Sequence, residues 1–325
     1  MAATTADRPL VQRFPALGAL PHAALCSLPT PVLSVALDGG RTLLVKRDDL
    51  SASPVGGNKA RGLEWLLGAV ARGDRIVTVG PGGSNHALAT ATYARQLGAS
   101  TTVIRWRQHM NEAAVAVDGR MRAVARVRDV RWVAAAYAVA MAHRAAGARW
   151  IPAGGAAPLA ILGHVNAALE LVAQIAAGEA QRPSRVFVPL GTGGTAAGLA
   201  LGFRLAGQSI PIVAVRVVPR IVGGARRVAS LANRTAALIE RHTGQFVPRL
   251  SRHDIGVEHA YFAGEYGRPL PGHAVDDVFR GAGLRLDDTY SRKAAAAAVD
   301  GTDRRPMLWL TFDGRVFRDD RATSR

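Results

Sequence analysis

Chemistry that needs an amine nucleophile has three places to start in this chain. Of the 41 basic residues, 38 are arginine and only Lys46, Lys59 and Lys293 are lysine. Lys59 has the least ordinary setting. It follows Val55-Gly56-Gly57-Asn58, a tight turn, and precedes Leu63, Leu66, Leu67 and Val70 at helical spacing. A lysine at a helix N-terminus beside a buried wall has its ammonium form disfavoured, by burial and by the positive end of the helix dipole. It then becomes a usable amine for a Schiff base. A solvated surface lysine is the plainer alternative. Lys46 falls inside a strand pattern and Lys293 at a helix start, neither of which suggests a reactive amine.

Two glycine-containing loops offer sites for an anion. Gly191-Thr192-Gly193-Gly194-Thr195 follows the apolar run Val186–Leu190 and opens the helical stretch Ala196–Ala206. Free backbone N–H groups and the helix dipole favour a phosphate there, and Thr195 adds a hydroxyl. A ligand-free βα turn would look the same. A dinucleotide is the rival ligand, since Gly191, Gly193 and Ala196 fit G-x-G-x-x-A. That reading needs an acidic residue ~20 positions on. No Asp or Glu lies between Glu179 and Glu240, so only an NADP site using Arg216 survives. A P-loop at Gly56–Ala60 fails because Ala60 replaces the hydroxyl residue. The second loop, Gly82-Gly83-Ser84-Asn85-His86, also leads from strand to helix. Ser84 and Asn85 there could serve a cleft or simply cap the helix. His86 alone reads as a packed or capping histidine. His253, Asp254, Glu258 and His259 match no metal-ligand spacing well, and no metal is expected.

The elements that must position these residues alternate. Strand patterns at Thr42–Lys46, Ile76–Val79 and Thr101–Trp106 are separated by helical stretches, and His86–Leu97 is stopped by Gly98. A helix near Val117–Val127 and a strand near Val130–Val133 follow. Later come a helix over Leu162–Ala177, strands at Val186–Leu190 and Ile210–Val218, a helix around Ala294–Val299 and a final strand over Met307–Phe312. Such alternation implies parallel sheets built from βαβ units, here as two α/β lobes around a cleft. Residues 1–40, rich in proline, read as a segment draped over a domain.

Composition excludes other classes. With 49% apolar residues in 325, the chain can bury real cores. One cysteine, Cys26, allows no disulfide framework. No signal peptide is read, and the longest apolar run, Trp132–Ala142, is too short to span a bilayer. The net charge of +17 suggests nucleic acid at first sight, but the arginines are scattered, aromatics are 6%, and no nucleic-acid motif occurs. Neither a nucleic-acid nor a membrane partner is expected, and a cytoplasmic protein is.

Taken together, the loops resemble the pyridoxal-phosphate enzymes of fold type II. Within that group the chain resembles the family of 1-aminocyclopropane-1-carboxylate (ACC) deaminase and D-cysteine desulfhydrase. The resemblance rests on Lys59 after Gly-Gly-Asn, then Ser84-Asn85-His86, then Gly191–Thr195. It is extended by Phe14-Pro15, Pro29-Thr30-Pro31, Lys46–Asp49, Ile151–Gly155, Glu265-Tyr266-Gly267 and Asp288-Thr289-Tyr290-Ser291, and covers about residues 10–315.

The resemblance implies a two-domain α/β fold, tryptophan-synthase-β-like, with open parallel sheets flanked by helices and the cofactor in the cleft. A larger cofactor-binding domain of residues 1–61 and 156–325 and a smaller one of 62–155 are expected, as is a homodimer. It implies pyridoxal 5′-phosphate held on Lys59, with Asn58 nearby, its phosphate on Gly191, Thr192, Gly193, Gly194 and Thr195, its phenolic oxygen on Asn85 and its ring nitrogen facing Ser291. Lys59, Ser84, Tyr266 and Tyr290 would be the catalytic set. The substrate would be a small amino acid. The reaction would be a desulfhydrase-like α,β-elimination to a 2-oxo acid and ammonia, with ACC deamination, β-replacement or a catalytically inactive binding role as alternatives. Ser291 stands where the deaminases carry Glu, and a hydroxyl cannot hold the ring nitrogen protonated as a carboxylate does, which leans toward elimination over ring opening. Gly83, Ala87 and Asp313 depart from the family pattern and are expected on the substrate side.

Overall fold

The computed structural model describes residues 8–273 and 275–317. Two sheets form the frame. The first has six strands in the order β1 (Val32–Leu37), β2 (Arg41–Lys46), β10 (Pro306–Trp309), β7 (Arg185–Leu190), β8 (Ile212–Arg216) and β9 (Gly256–Glu258). β1 and β2 are an antiparallel hairpin, and every other neighbouring pair is parallel. The second sheet, entirely parallel, runs β5 (Arg126–Val130), β4 (Ser100–Trp106), β3 (Arg75–Pro81) and β6 (Arg149–Ile151).

Both faces of each sheet are covered, as parallel sheets require. On the large sheet, Leu44 packs with α1 (Pro9–Arg13), α6 (Pro158–Ala176), α7 (Gly194–Leu205) and α8 (Ala225–Thr243). Leu43 and Val45 point the other way, to α9 (Val275–Gly281) and α10 (Ser291–Asp300). On the small sheet, Ile76 packs with α3 (Asn85–Gln96) and α4 (Glu112–Val124), while Val77 and Val79 meet α5 (Val133–Ala145). The two directions follow from the two-residue period of a strand.

α6 is long and apolar enough to cross a membrane by length and composition, but it is mostly buried as a core helix. It packs closely on α2 (Asn58–Leu66), the helix that carries Lys59. A Cβ at Gly163 would lie 2.0 Å from the Arg61 carbonyl oxygen, so the small residues of α6 set how near α2 can come.

Two expectations are corrected. The proline-rich segment expected only to drape over a domain contains β1, an edge strand turned into β2 by Asp38-Gly39-Gly40 with positive φ at both glycines. The prolines upstream masked its alternation. The strand expected at 130–133 lies earlier, at β5, and Val133 begins α5 instead. β5 is a mostly exposed edge of sequence Arg-Val-Arg-Asp-Val, so it carries no apolar run to reveal it.

The topology also says where a ligand goes. In the small sheet the strand order reverses at β3, flanked by β4 and β6; in the large sheet it reverses at β7, flanked by β8 and β10. Crevices open beyond the carboxyl ends of strands at such switch points. The two loops singled out above follow β3 and β7.

Candidate active site

One cavity of about 730 Å³ collects most of the expected residues. Asn58, Lys59, Ser84, Asn85, Gly191, Thr192, Gly193, Gly194, Thr195, Tyr266 and Tyr290 all line it. Ser291 does not line it. It follows Tyr290 as the first residue of α10, fully buried, with its Oγ lacking a hydrogen-bond partner.

Backbone geometry places Lys59. Gly57 is the N-cap of α2 with φ +98°, and a Cβ there would lie 2.5 Å from the Thr311 carbonyl oxygen. Only glycine lets the turn press so close against Thr311, whose carbonyl also accepts from Asn58 N at 3.2 Å. The amine that follows is enclosed by protein although it faces the cavity. Burial lowers its pKa from the ordinary lysine value to about 8.

The anion cradle is built at the start of α7. Gly193 is its N-cap in the left-handed region, φ +92°, and Gly194 is its first residue. Thr195 Oγ1 accepts from Asn58 Nδ2 at 2.6 Å, which ties the lysine turn to the glycine loop. Arg227 on α8 donates to Thr192 O at 2.9 Å, bracing the loop. Gly154, φ +64°, meets Thr192 from the segment after β6, where a Cβ would lie 2.6 Å from its Oγ1.

Ser84 is the N-cap of α3, its Oγ accepting from Ala87 N at 3.3 Å. Capping and cavity lining are therefore the same placement. Asn85 follows in the first turn. His86, read from sequence as only packed or capping, also lines the cavity. Its Nδ1 has no partner, and burial followed by the charge of Lys59 lowers its pKa to about 3. It is a neutral imidazole at any ordinary pH.

The tyrosines form a pair. Their hydroxyls are in hydrogen-bond contact and their rings stand edge to face, centroids 5.9 Å apart. Burial raises both; Tyr290 is pushed up to about 12. Asp287 fixes the second tyrosine by accepting from Tyr290 N at 2.8 Å and Ser291 N at 2.9 Å.

Asn111 escaped the sequence reading. As N-cap of α4 it accepts from Ala114 N at 2.9 Å. Its Nδ2 donates to Gly267 O at 2.8 Å and Thr289 Oγ1 at 2.9 Å, the neighbours of Tyr266 and Tyr290. One amide thus holds both tyrosine-bearing segments against the small-sheet lobe. The only sequence signal was an Asn just before a helix.

Three departures expected on the substrate side lie elsewhere. Gly83, φ +67°, packs on the α4 backbone, where a Cβ would come within 2.5 Å of Ala114. Ala87 is fully buried in the small-lobe core. Asp313 accepts from Gly56 N at 2.8 Å and pairs with Arg315. None lines the cavity. Arg216, the residue that an NADP site would need, is occupied: it donates to His259 Nδ1 and Val218 O and lies over the Phe262 ring.

Comparison with known proteins decides the family. The family model described as pyridoxal-phosphate dependent enzyme matches residues 25–261. The chain belongs to that family. Among curated relatives, it is 35% identical to the nocardicin C-9′ epimerase of Nocardia uniformis subsp. tsuyamanensis, over 92% of this chain and 94% of that one. It is 31% identical to a putative 1-aminocyclopropane-1-carboxylate deaminase of Pyrococcus abyssi, over 90% and 88%. It is 31% identical to the D-cysteine desulfhydrase of Salmonella choleraesuis, over 90% and 94%. A solved ACC deaminase homologue superposes with TM-score 0.74 at 25% identity, covering 94% of each chain. The fold is therefore that of the fold type II pyridoxal-phosphate enzymes, and the chain is an enzyme dependent on that cofactor.

The residues present fit the cofactor. It needs an amine with a depressed pKa, an N–H cradle for a phosphate, and a partner for its ring nitrogen. The cavity presents Lys59 and the Gly191–Thr195 turn, braced without a carboxylate, while Ser291, expected at the ring nitrogen, stands outside the lining with its hydroxyl unpartnered.

Proposed function

We propose that this protein is a lyase or deaminase that removes the Cα proton of an amino acid and expels a β-leaving group, releasing a 2-oxo acid and ammonia. The single observation carrying this reading is a lysine with pKa about 8 and a hydrogen-bonded tyrosine pair on the walls of one cavity. Bound pyridoxal phosphate supplies the electron sink for such chemistry. The chain supplies the rest. Lys59 anchors the cofactor and takes the Cα proton. Gly191 to Thr195 would hold its phosphate and Asn85 its phenolic oxygen; Ser291, expected at its ring nitrogen, would reach it only from outside the present cavity lining. Ser84, at the α3 N-terminus, receives the substrate carboxylate. Tyr290, neutral to about pH 12, donates a proton, and Tyr266 holds its hydroxyl in place. A larger domain of residues 1–61 and 156–325 with a smaller one of 62–155, in a cytoplasmic homodimer without nucleic-acid or membrane partners, completes the reading.

Epimerisation at Cα is the second reading, favoured by the identity to the nocardicin C-9′ epimerase. It begins with the same proton removal and returns a proton to the opposite face. Reaction in D2O separates the two. Elimination yields 2-oxo acid and ammonia from D-cysteine or D-serine. Epimerisation returns deuterated amino acid of both hands without ammonia. Lys59→Ala is expected to abolish both and the cofactor absorbance; a colourless wild type that cannot be reconstituted overturns the assignment of Lys59 and its cavity.

A further inference from the structure

Exposed apolar side chains are unevenly distributed on this molecule. Among the described residues, nine large hydrophobics are exposed, and four of them, Val133, Tyr137, Ile221 and Val222, line the active-site cavity. They come from opposite sides. Val133 and Tyr137 are one turn apart on α5, in the small-sheet lobe, and so share a helix face. Ile221 and Val222 sit between β8 and α8, in the large-sheet lobe. Ile221 is 93% exposed, the extreme for a residue of its type here. The segment that carries it is anchored to the cofactor cradle: a Cβ on Gly223 would lie 2.7 Å from the Gly191 carbonyl oxygen. Trp106 and Phe262 extend the same wall.

Apolar surface left in water is costly, and exposed apolar patches mark interaction sites. These four side chains line the same cavity as Lys59, so an amino acid held at Lys59 is the occupant that brings a side chain to them. Charge narrows the occupant further. Among the described residues, Arg107 and Arg227 line the cavity and Glu265 is the sole acidic residue doing so, which disfavours a cationic side chain.

We infer that the preferred substrate is an amino acid carrying a large apolar or aromatic group beyond Cβ, received between Val133 and Tyr137 on one side and Ile221 and Val222 on the other. The inference rests on the reading of Lys59 and its cavity as the site of amino-acid chemistry. It does not depend on whether elimination or epimerisation follows, because both start at the Cα proton.

The test is Cα-proton exchange by the holoenzyme in D2O, followed by NMR. Alanine is compared with phenylalanine and tryptophan in both configurations, and binding is read separately from the change in cofactor absorbance. Phenylalanine or tryptophan is expected to exceed alanine in exchange kcat/KM by at least ~10-fold, the discrimination that even small apolar differences achieve in a fitted pocket. Tyr137→Ser and Ile221→Ser, both at exposed positions, are expected to collapse that ratio about tenfold through KM. Alanine exchanging as fast as the aromatics overturns this inference alone. So does an unchanged ratio in both variants, or a loss of activity that sedimentation traces to a changed oligomeric state. No exchange of any amino acid, with no absorbance change on addition, overturns the proposed function with it.

Discussion

Lys59 concentrates the residue-scale argument. Its pKa of about 8 comes from burial, not from a neighbouring cation. Only the neutral amine attacks an aldehyde. With pKa 8, the rate at which the apo-enzyme takes up pyridoxal phosphate should rise about tenfold from pH 7 to 9 and then level. A lysine at 10.5 would instead gain about 100-fold from pH 7 to 9 and about eightfold more from pH 9 to 10. Stopped-flow absorbance distinguishes the two. The stability sign is also fixed. The folded pKa lies below the unfolded one, so the unfolded chain binds more protons between about pH 8 and 10.5. This group's burial cost is therefore fully present below pH 8 and relieved as pH rises through that window. Comparing denaturation of apo wild type with Lys59→Met across the window checks it: the advantage of methionine should shrink as pH rises.

At the scale of elements, helix starts do most of the positioning. α2 begins at Asn58-Lys59, α3 at Asn85, α7 at Gly194 and α10 at Ser291. The starts of α2, α3 and α7 line the cleft and were legible from a turn followed by a helical stretch, whereas the helix around Ala294–Val299 was legible from its run of alanines. Asn111 was not, because its partners are far away in sequence. Its two donor contacts and one acceptor contact can be separated. Asn111→Asp keeps an oxygen for Ala114 N, and so the α4 cap, but loses both donors. Turnover is expected to fall by about 10- to 100-fold, the scale of misplaced catalytic groups, with cofactor absorbance retained and the alkaline limb assigned to Tyr290 displaced. A variant with wild-type turnover and pH profile would show that α4 does not position the tyrosines.

For the whole molecule, a buried ion network joins elements that meet only in the tertiary fold. Arg61 on α2 pairs with Asp48 at 2.7 Å and with Glu170 on α6 at 2.8 Å. Lys46 on β2 donates to Glu170 at 2.6 Å, and Trp309 on β10 donates to Asp48 at 2.8 Å. Burial opposes the Glu170 charge, but Arg61 and Lys46 outweigh it and hold its pKa to about 2. Its stabilising contribution is thus present above the usual glutamate range and is lost only as pH falls toward 2. Removing one partner leaves buried charge unpaired. Glu170→Ala is expected to cost ~3–5 kcal/mol in urea denaturation. A loss below 1 kcal/mol would mean water has entered the network.

The sequence alone determined the local chemistry: a scarce lysine in a glycine turn, an N-capping Ser-Asn pair, a glycine-rich strand-to-helix loop, and the alternation that implies two parallel sheets. These are short-range signals, carried by backbone preference and periodicity. Tertiary structure decided what no local signal contains. It moved Gly83, Ala87 and Asp313 from the substrate side into packing roles, because their contacts are with α4, the small-lobe core and Arg315. It brought His86 into the cavity wall and gave Asn111 its two long-range donors. It gathered Val133, Tyr137, Ile221 and Val222, two pairs more than 80 residues apart in the chain, onto the wall of one cavity. Proximity between distant residues is set by how helices pack across sheets, and that information is distributed over the whole core.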